Sequence, residues 1–522
     1  MKTLFFGGNI ITMAEPLYAE AVLVEDEKII AVGSKEELAP SAEELVDLNG
    51  ATMLPGFIDA HSHITSFAAT YTQANAREVN NYDVLKDIVS EHIKKNNIKK
   101  GEFVLVREFD HTIFPGSKYP TLAQLDEIAD EYILVVRHNS GHAQFLNSYA
   151  LRYFGITPEM GKDCPDEIIV ENGKLTGTFK EGGLSKCNVK LPAASFEDIC
   201  KAHPSLQRYY AENGITTAQE GYLSLRTIEI YNALHQSGEM ILDIVPYAPL
   251  KFFDLLNDKY KELPSERKWH PCGIKYFLDG SPQIRTAWIR EPYIGSDSCG
   301  MPLHTDEEVV DAFRFSADKH AQIIIHTNGD GAVDQFLRCL EIAEKEKPHL
   351  KELRPVIVHG QLMGHDQMQK AAELGAIVSF FVAHCYYYAD THIANLGEER
   401  GMHVSAVKSA IDAGITVTFH QDAPVIEPDM LETVWCAVNR VTRRGVQLAK
   451  EECISVLDAL KAVTLNAAYQ YFEEDEKGSI EEGKLADFVV LDRNPLTVDK
   501  NDIRNIKVVK TYKRGKKIYE RV

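Results

Sequence analysis

Residues Asp306–Asp330 read DEEVVDAFRFSADKHAQIIIHTNGD, a segment of helix-like apolar periodicity followed at once by an apolar, strand-like run that stops at His326. The same alternation recurs from about residue 212 to 475. Its strand-like runs are ITTAQE (215–220), GIKYFLDG (273–280), AQIIIHTNGD (321–330), PVIVHG (355–360), AIVSFFVAH (376–384) and ITVTFHQD (415–422). Repeating strand-then-helix units imply parallel strands with right-handed crossovers. With the run ending at Phe57-Ile58-Asp59 as the first strand, about eight units can be assembled, so the expected fold is α/β, a (β/α)8 TIM-like barrel, with an open sheet as the alternative.

Outside this middle, strand signals crowd both ends. Residues 2–33 hold TLFF, IITM, AEAVLV and KIIAVG, and the last forty hold ADFVVLD, IKVVKTY and KKIYE. Such short strands cannot bury their faces alone, so the termini are expected to meet in one small β-sandwich domain, its parts being 1–53 and 478–522, around a barrel of 54–477. Between about 75 and 210 the alternation breaks down, and Asn172-Gly173 in IIVENGKLTGTFKE marks a hairpin turn. This region is expected to be an insertion after the first barrel strand, placed to roof a site built at strand C-termini.

The 522 residues exceed one ordinary core, and 25% charged with 44% hydrophobic residues is ordinary for a globular protein. A formal charge of −21 argues against nucleic-acid binding and against docking on anionic membrane. The start could pass for a signal peptide, but Gly7-Gly8-Asn9 interrupts the apolar run and Glu15-Pro16 follows it, so strand, turn, strand is the expectation. No run approaches the ~18 apolar residues of a transmembrane helix. Nine cysteines without CxxC spacing suit a reducing, cytoplasmic setting.

Ligand-type side chains close several of the strand-like runs. GFIDAHSH brings His61 and His63, two apart and so on one face of an extended strand, roughly 6 to 7 Å apart. QIIIH ends at His326, PVIVH at His359 and ITVTFHQD at Asp422. One such histidine is ordinarily a hydrogen-bonded core residue. Four histidines and an aspartate at equivalent places form a pattern suited to Zn, Mn or Fe. Lys275, in GIKYFLDG, would point inward, where it must be deprotonated, paired or modified; a salt bridge to Asp279 or another carboxylate is the plain alternative.

These stretches carry a resemblance. LPGFIDAHSH, RHNSGHAQFLNSYAL, NGKLTGTFKE, GITTAQE, KYFLDGSPQIRTAWIREPY, HTNGDGAVD, VHGQLM, DAPV and GSIEEGKLADFVVLDRNP, in order over nearly the whole length, are similar to the amidohydrolase superfamily. Within it they resemble the YtcJ-like metal-dependent hydrolases, the branch that includes N-substituted formamide deformylases. The resemblance implies that His61 and His63 bind one metal and His326 and His359 a second. It implies that Lys275, carboxylated by CO2, bridges both as a carbamate, and that Asp422 contacts the first metal and the attacking hydroxide. Two divalent ions are thus implied, zinc being the expected one and a single ion the alternative.

The chain departs from the family pattern in having Val358 before the sixth-strand histidine, His420-Gln421 before Asp422, and Val382-Ala383 followed by His384. His420, two before Asp422, would share its face of a strand and crowd or tune the site. His142, Asp279, Arg285, His384 and Arg440 are expected near the substrate, with Arg440 alternatively on a solvated basic helix face. Asp110 and His111 are expected to contribute from the insertion, and Tyr386-Tyr387-Tyr388 to form either a pocket wall or ordinary loop packing.

The expected activity is hydrolysis of a non-peptide carbon–nitrogen bond, in an N-acyl or N-formyl amide of a small molecule, by metal-activated hydroxide with Asp422 moving the proton. The rivals are a mononuclear deaminase of a heterocyclic amidine and a non-catalytic regulatory protein on the same barrel. The expected partner is a small-molecule substrate, with neither nucleic acid nor membrane; a homodimer is left open.

Overall fold

The computed structural model describes residues 1–116, 118–138, 143–180, 182–262 and 272–521, the side chain of Thr112 excepted. It divides into two compact units, one of Met1–Phe67 with His203–Val522, the other of Ala68–Ala202.

The first unit contains two sheets. In one, eight parallel strands follow each other in chain order: Phe57–Ile58, Ile215–Glu220, Asp243–Pro249, Gly273–Phe277, Ile323–Thr327, Val356–His359, Ile377–Phe380 and Val417–Phe419. Each pairs in parallel with the next. The sheet is curled, and past its two outermost strands Asp422 N donates to His61 O (3.1 Å) and His63 N to Ala423 O (2.8 Å). Helices such as Asp306–Lys319 and Asp330–Glu346 form the crossovers. Thr305 opens the first of these through a capping box with Glu308, and Val309, Val310, Phe313 and Ala317 form its buried stripe.

The other sheet joins the chain ends. Lys2–Ile11, Tyr18–Glu25, Lys28–Gly33, Glu44–Asp47 and Thr52–Pro55 pair with Phe488–Leu491, Val508–Lys513 and Lys516–Glu520 in one mixed eight-stranded sheet. The link is the antiparallel ladder from Phe488↔Pro55 to Leu491↔Thr52. Side chains alternate faces as period two requires: Phe5, Val22, Val24, Phe488 and Tyr512 share one apolar cluster, and Leu4, Phe6, Ala21 and Leu23 another.

Where the terminal sheet meets the third parallel strand, at that strand's N-terminal residue Asp243, a buried ion cluster forms. Lys477 Nζ and Lys513 Nζ each lie 2.6 Å from Asp243 Oδ2, and Lys513 also reaches Asp487 at 2.5 Å. Burial alone would raise the Asp243 pKa, but Lys477, Lys513 and Arg514 outweigh it and hold the carboxyl well below the usual range.

The second unit holds a six-stranded mixed sheet. Ala74–Asn75, Phe103–Phe109 and Ile133–His138 run parallel, and Ala143–Leu146, Lys174–Lys180 and Ile168–Glu171 follow antiparallel. The hairpin expected at Asn172-Gly173 is present, with Glu171 opposite Lys174 and φ of 49° and 74° at the two turn residues.

Candidate active site

The donors meet at the C-terminal ends of the parallel strands. The first strand ends at Ile58, so His61 and His63 stand on the bent segment beyond it rather than on a regular strand. Their rings still converge, with centroids 5.1 Å apart. What brings them together is Asp422: its Oδ1 lies 3.5 Å from His61 Nε2 and 3.3 Å from His63 Nε2, and its Oδ2 3.9 Å from His359 Nε2. His359 Nε2 is in turn 3.1 Å from His326 Nδ1, and Lys275 Nζ is 3.2 Å from His61 Nε2.

Outer partners decide which ring nitrogens face inward. Gln219 donates through Nε2 to Ala60 O and to Tyr471 Oη, which turns its Oε1 to His61 Nδ1 at 2.5 Å. His61 therefore carries its proton on Nδ1 and presents the Nε2 lone pair. His326 Nε2 donates to Gly280 O at 3.0 Å, leaving its Nδ1 lone pair toward His359. His359 Nδ1 lies 3.1 Å from His420 Nε2, and His420 Nδ1 lies 2.9 Å from Ser379 Oγ. With the His359 proton on Nε2 the 3.1 Å contact to His326 Nδ1 is a hydrogen bond; with it on Nδ1, donated to His420, two lone pairs face each other and a cation between them would relieve the repulsion.

The charge state suits such a cation. Burial, then Lys275, pushes His326 down to about 4, and the same two causes hold His61 well below its ordinary value. Burial, then His326, does likewise for His359. Burial would raise the Asp422 pKa, but His63 outweighs it and keeps the carboxyl ionised. Neutral imidazoles beside a carboxylate are the protonation states a divalent ion requires. For tetrahedral bonds of 2.0–2.2 Å, neighbouring ligand atoms lie roughly 3.3–3.6 Å apart, close to the separations here. The Oδ1 atom of Asp422 is buried with no well-directed hydrogen bond among the described residues, which also fits a metal ligand.

Two of the donors have unusual backbone: His359 at φ 79° and Asp422 at φ 55° occupy the left-handed region, which non-glycine residues seldom enter. Strain of this kind concentrates at functional sites. No strand periodicity would reveal it.

Residues 44–519 match the Amidohydrolase family. The chain belongs to that family. It is 27% identical to the protein named as an amidohydrolase, YtcJ, of Bacillus subtilis (strain 168), over 100% of both chains. It is 28% identical to the N-substituted formamide deformylase of Arthrobacter pascens, over 96% of this chain and 95% of that one. An uncharacterized metal-dependent hydrolase from Pyrococcus horikoshii OT3 has a TM-score of 0.75 at 22% identity, covering 96% of this chain and 99% of its own, a likeness of fold. The chain is accordingly a hydrolase acting on carbon–nitrogen bonds, within the metal-dependent amidohydrolase superfamily. Among the described residues no helix is long and apolar enough to cross a membrane.

The remaining expected residues of this amidohydrolase fall in different settings. Asp279 is buried and accepts from Asn328 N (2.9 Å), Gly329 N (2.8 Å) and Trp288 N (3.0 Å), so it pins the turn leading into the helix Asp330–Glu346 to the Trp288 segment. Burial pushes it up to about 7. It makes no ion pair with Lys275, so the salt bridge offered as an alternative for that lysine is not formed. His384 is buried, with Nδ1 3.2 Å from His392 Nε2 and its ring against Phe381. Arg285 is exposed and donates to Asn395 Oδ1 at 2.9 Å. Arg440 lies on no solvated face: it is fully buried and donates to Ser405 O and Val404 O at 2.7 and 2.8 Å. Tyr386 packs on Trp435, and Tyr387 Oη donates to Glu432 at 2.5 Å. His142 lies outside the described residues.

Sequence reasoning passed over Gln219, Ser379 and Asn328. Gln219 could have been suspected as the polar member of the buried run ITTAQE, but its partner His61 is 158 positions away.

Proposed function

We propose that the chain hydrolyses an N-acyl or N-formyl amide of a small molecule at a two-metal site held by His61, His63, Lys275, His326, His359 and Asp422, on a closed (β/α)8 barrel. The observation that carries this reading is Lys275, which is 2% exposed, 3.2 Å from His61 Nε2 and without an ion-pair partner among the described residues. Burial pulls its pKa down to about 8, against a raising contribution from Asp422. An amine so poised is partly neutral at physiological pH and can add to CO2, giving the carbamate that would join the two donor pairs.

Divalent ions bound there, zinc foremost, would bring water toward neutral acidity and polarise the substrate carbonyl. The chain supplies the rest. Asp422, ionised and next to His63, takes the proton from the attacking water and passes it to the leaving nitrogen, without which an amide anion would have to depart. Gln219, Gly280 O and His420 hold the inward lone pairs of three imidazoles. The domain reading that accompanies this is 1–53 and 478–522 as the terminal β domain around 54–477.

The test is elemental analysis of the purified wild-type protein beside Lys275→Ala, with N-formyl and N-acyl amides assayed for carboxylate release. At least two ions per chain in the wild type, falling in the variant and restored in part by short carboxylic acids, supports the reading. About one ion, indifferent to the substitution, with ammonia released from amidines, points to a mononuclear deaminase instead.

A further inference from the structure

A second set of metal-type donors lies inside the unit Ala68–Ala202. The strands Phe103–Phe109 and Ile133–His138 are parallel neighbours with Phe109 opposite His138, so their C-terminal ends lie side by side. Asp110 follows the first strand directly, His111 opens the short 3₁₀ turn His111–Ile113, and His138 closes the second strand. The ladder is irregular between Val106 and Phe109, and Glu108 sits there at φ 64°. A bulge of this kind redirects the residues that follow it, here Asp110 and His111, toward the neighbouring strand end.

One donor atom from each of Asp110, His111 and His138 lies within 4.8 Å of the other two. His111 Nδ1 and His138 Nε2 are 2.9 Å apart. A tetrahedral zinc site places ligand nitrogens roughly 3.3 Å apart, so small ring movements would admit an ion. Asp110 is buried at 6% exposure and both histidines are half-buried. The His111 ring is held against Tyr119 with centroids 4.4 Å apart. Burial lowers the His111 pKa, Asp110 raises it and Lys180 lowers it, with a net downward shift that favours the neutral ligand form.

We propose that Asp110, His111 and His138 bind one divalent ion of the zinc class, leaving a fourth position open to water or a small anion. Two imidazoles with a carboxylate are a complete protein donor set for zinc with an open coordination position, and they favour zinc, nickel or copper over magnesium or calcium. Lys180, whose ammonium lies 5.4 Å from the Tyr119 ring centre, is a cation near the cluster. It opposes a dication and favours an anion in the open position.

The test uses the full-length protein, stripped with chelator, titrated with zinc chloride and desalted before elemental analysis. In a His61→Ala/His63→Ala variant, about one zinc per chain should be retained, and adding His111→Asn/His138→Asn should abolish it. No zinc retained in the first variant, or the same amount in the second, overturns the proposal. Zinc-soaked wild-type crystals give a check free of mutational damage: an anomalous peak bonded to all three donors supports the site, and a peak only at His61 and its neighbours refutes it. The two readings fail separately. Zinc lost wholly with His61 and His63 leaves the proposed hydrolase standing, whereas zinc lost only with His111 and His138 removes the hydrolase site and keeps this one.

Discussion

Lys275 and Lys477 are the same residue type, each 2% exposed in the same unit, yet burial has opposite outcomes for them. Lys477 sits 2.6 Å from Asp243 and 3.2 Å from Glu473, and those carboxylates overcome its desolvation and raise its pKa. Lys275 has only the more distant field of Asp422 against its desolvation and is lowered to about 8. Asp243 begins the third parallel strand, and Lys275 lies well along the fourth, toward the ends where the histidines gather. The N-terminal end is a compensated cluster that holds the terminal sheet to the parallel one. Lys275 at the C-terminal end lacks such compensation, and perturbed groups of this kind are enriched at functional sites.

The sharpest way to break this contrast is Asp422→Asn. If the C-terminal end works by proton transfer, turnover should fall roughly 10²- to 10⁴-fold with the fold intact and part of the metal retained. Activity within tenfold of wild type, measured by carboxylate release, would remove Asp422 from the mechanism.

Asp243→Asn probes the opposite end. It leaves Lys477 and Lys513 short of a shared carboxylate, and removing one partner of a buried ion pair costs about 3–5 kcal/mol. Denaturant melts should show that loss while kcat of the folded fraction stays within about twofold of wild type. An unchanged midpoint would mean that Asp487 and Glu473 suffice.

His420→Ala tests how finely the C-terminal end is arranged. His420 is 0% exposed and touches His359 Nδ1 on one side and Ser379 on the other. For His359 Nε2 to present a lone pair, Nδ1 must donate to His420, which must then donate to Ser379. Losing such an outer partner typically weakens metal binding about 10- to 100-fold. Equilibrium dialysis against zinc reads this directly, and unchanged affinity would make His420 mere packing.

How far these two ends could be read from sequence follows from the range of the interactions involved. Seven of the eight parallel strands announced themselves as apolar runs, Asp243–Pro249 being the exception, and the four histidines as residues closing such runs, because both are local patterns. The spacing of His61 and His63 was legible, but not that the strand stops at Ile58 and that Asp422 rather than the pleat gathers their rings. Strands at both chain ends were visible, whereas the ladder between Phe488–Leu491 and Thr52–Pro55 depends on pairing across more than four hundred residues. The expected sandwich is met in the structure as one mixed sheet. Gln219, Ser379 and the burial of Arg440 were not legible, since each depends on a distant carbonyl or ring.

The smallest expected effect is one of pH. His392, buried beside His384, is pushed by burial to about 3 from an ordinary value near 6.5. The unfolded chain therefore binds a proton there that the folded chain refuses, and stability must fall as pH drops below about 6.5. Asp243 behaves differently: its folded pKa lies below the unfolded one, so its contribution is full above the usual carboxylate range and is lost only at more acidic pH. Between pH 7 and 6, His392 alone should remove about 0.7 kcal/mol while Asp243 removes nothing. Urea melts of metal-stripped protein at the two pH values, wild type beside His392→Gln, isolate that increment. A variant whose stability drops with pH as steeply as wild type would show that His392 is not held neutral, and the electrostatic division between the two ends would not extend to the histidines around His384.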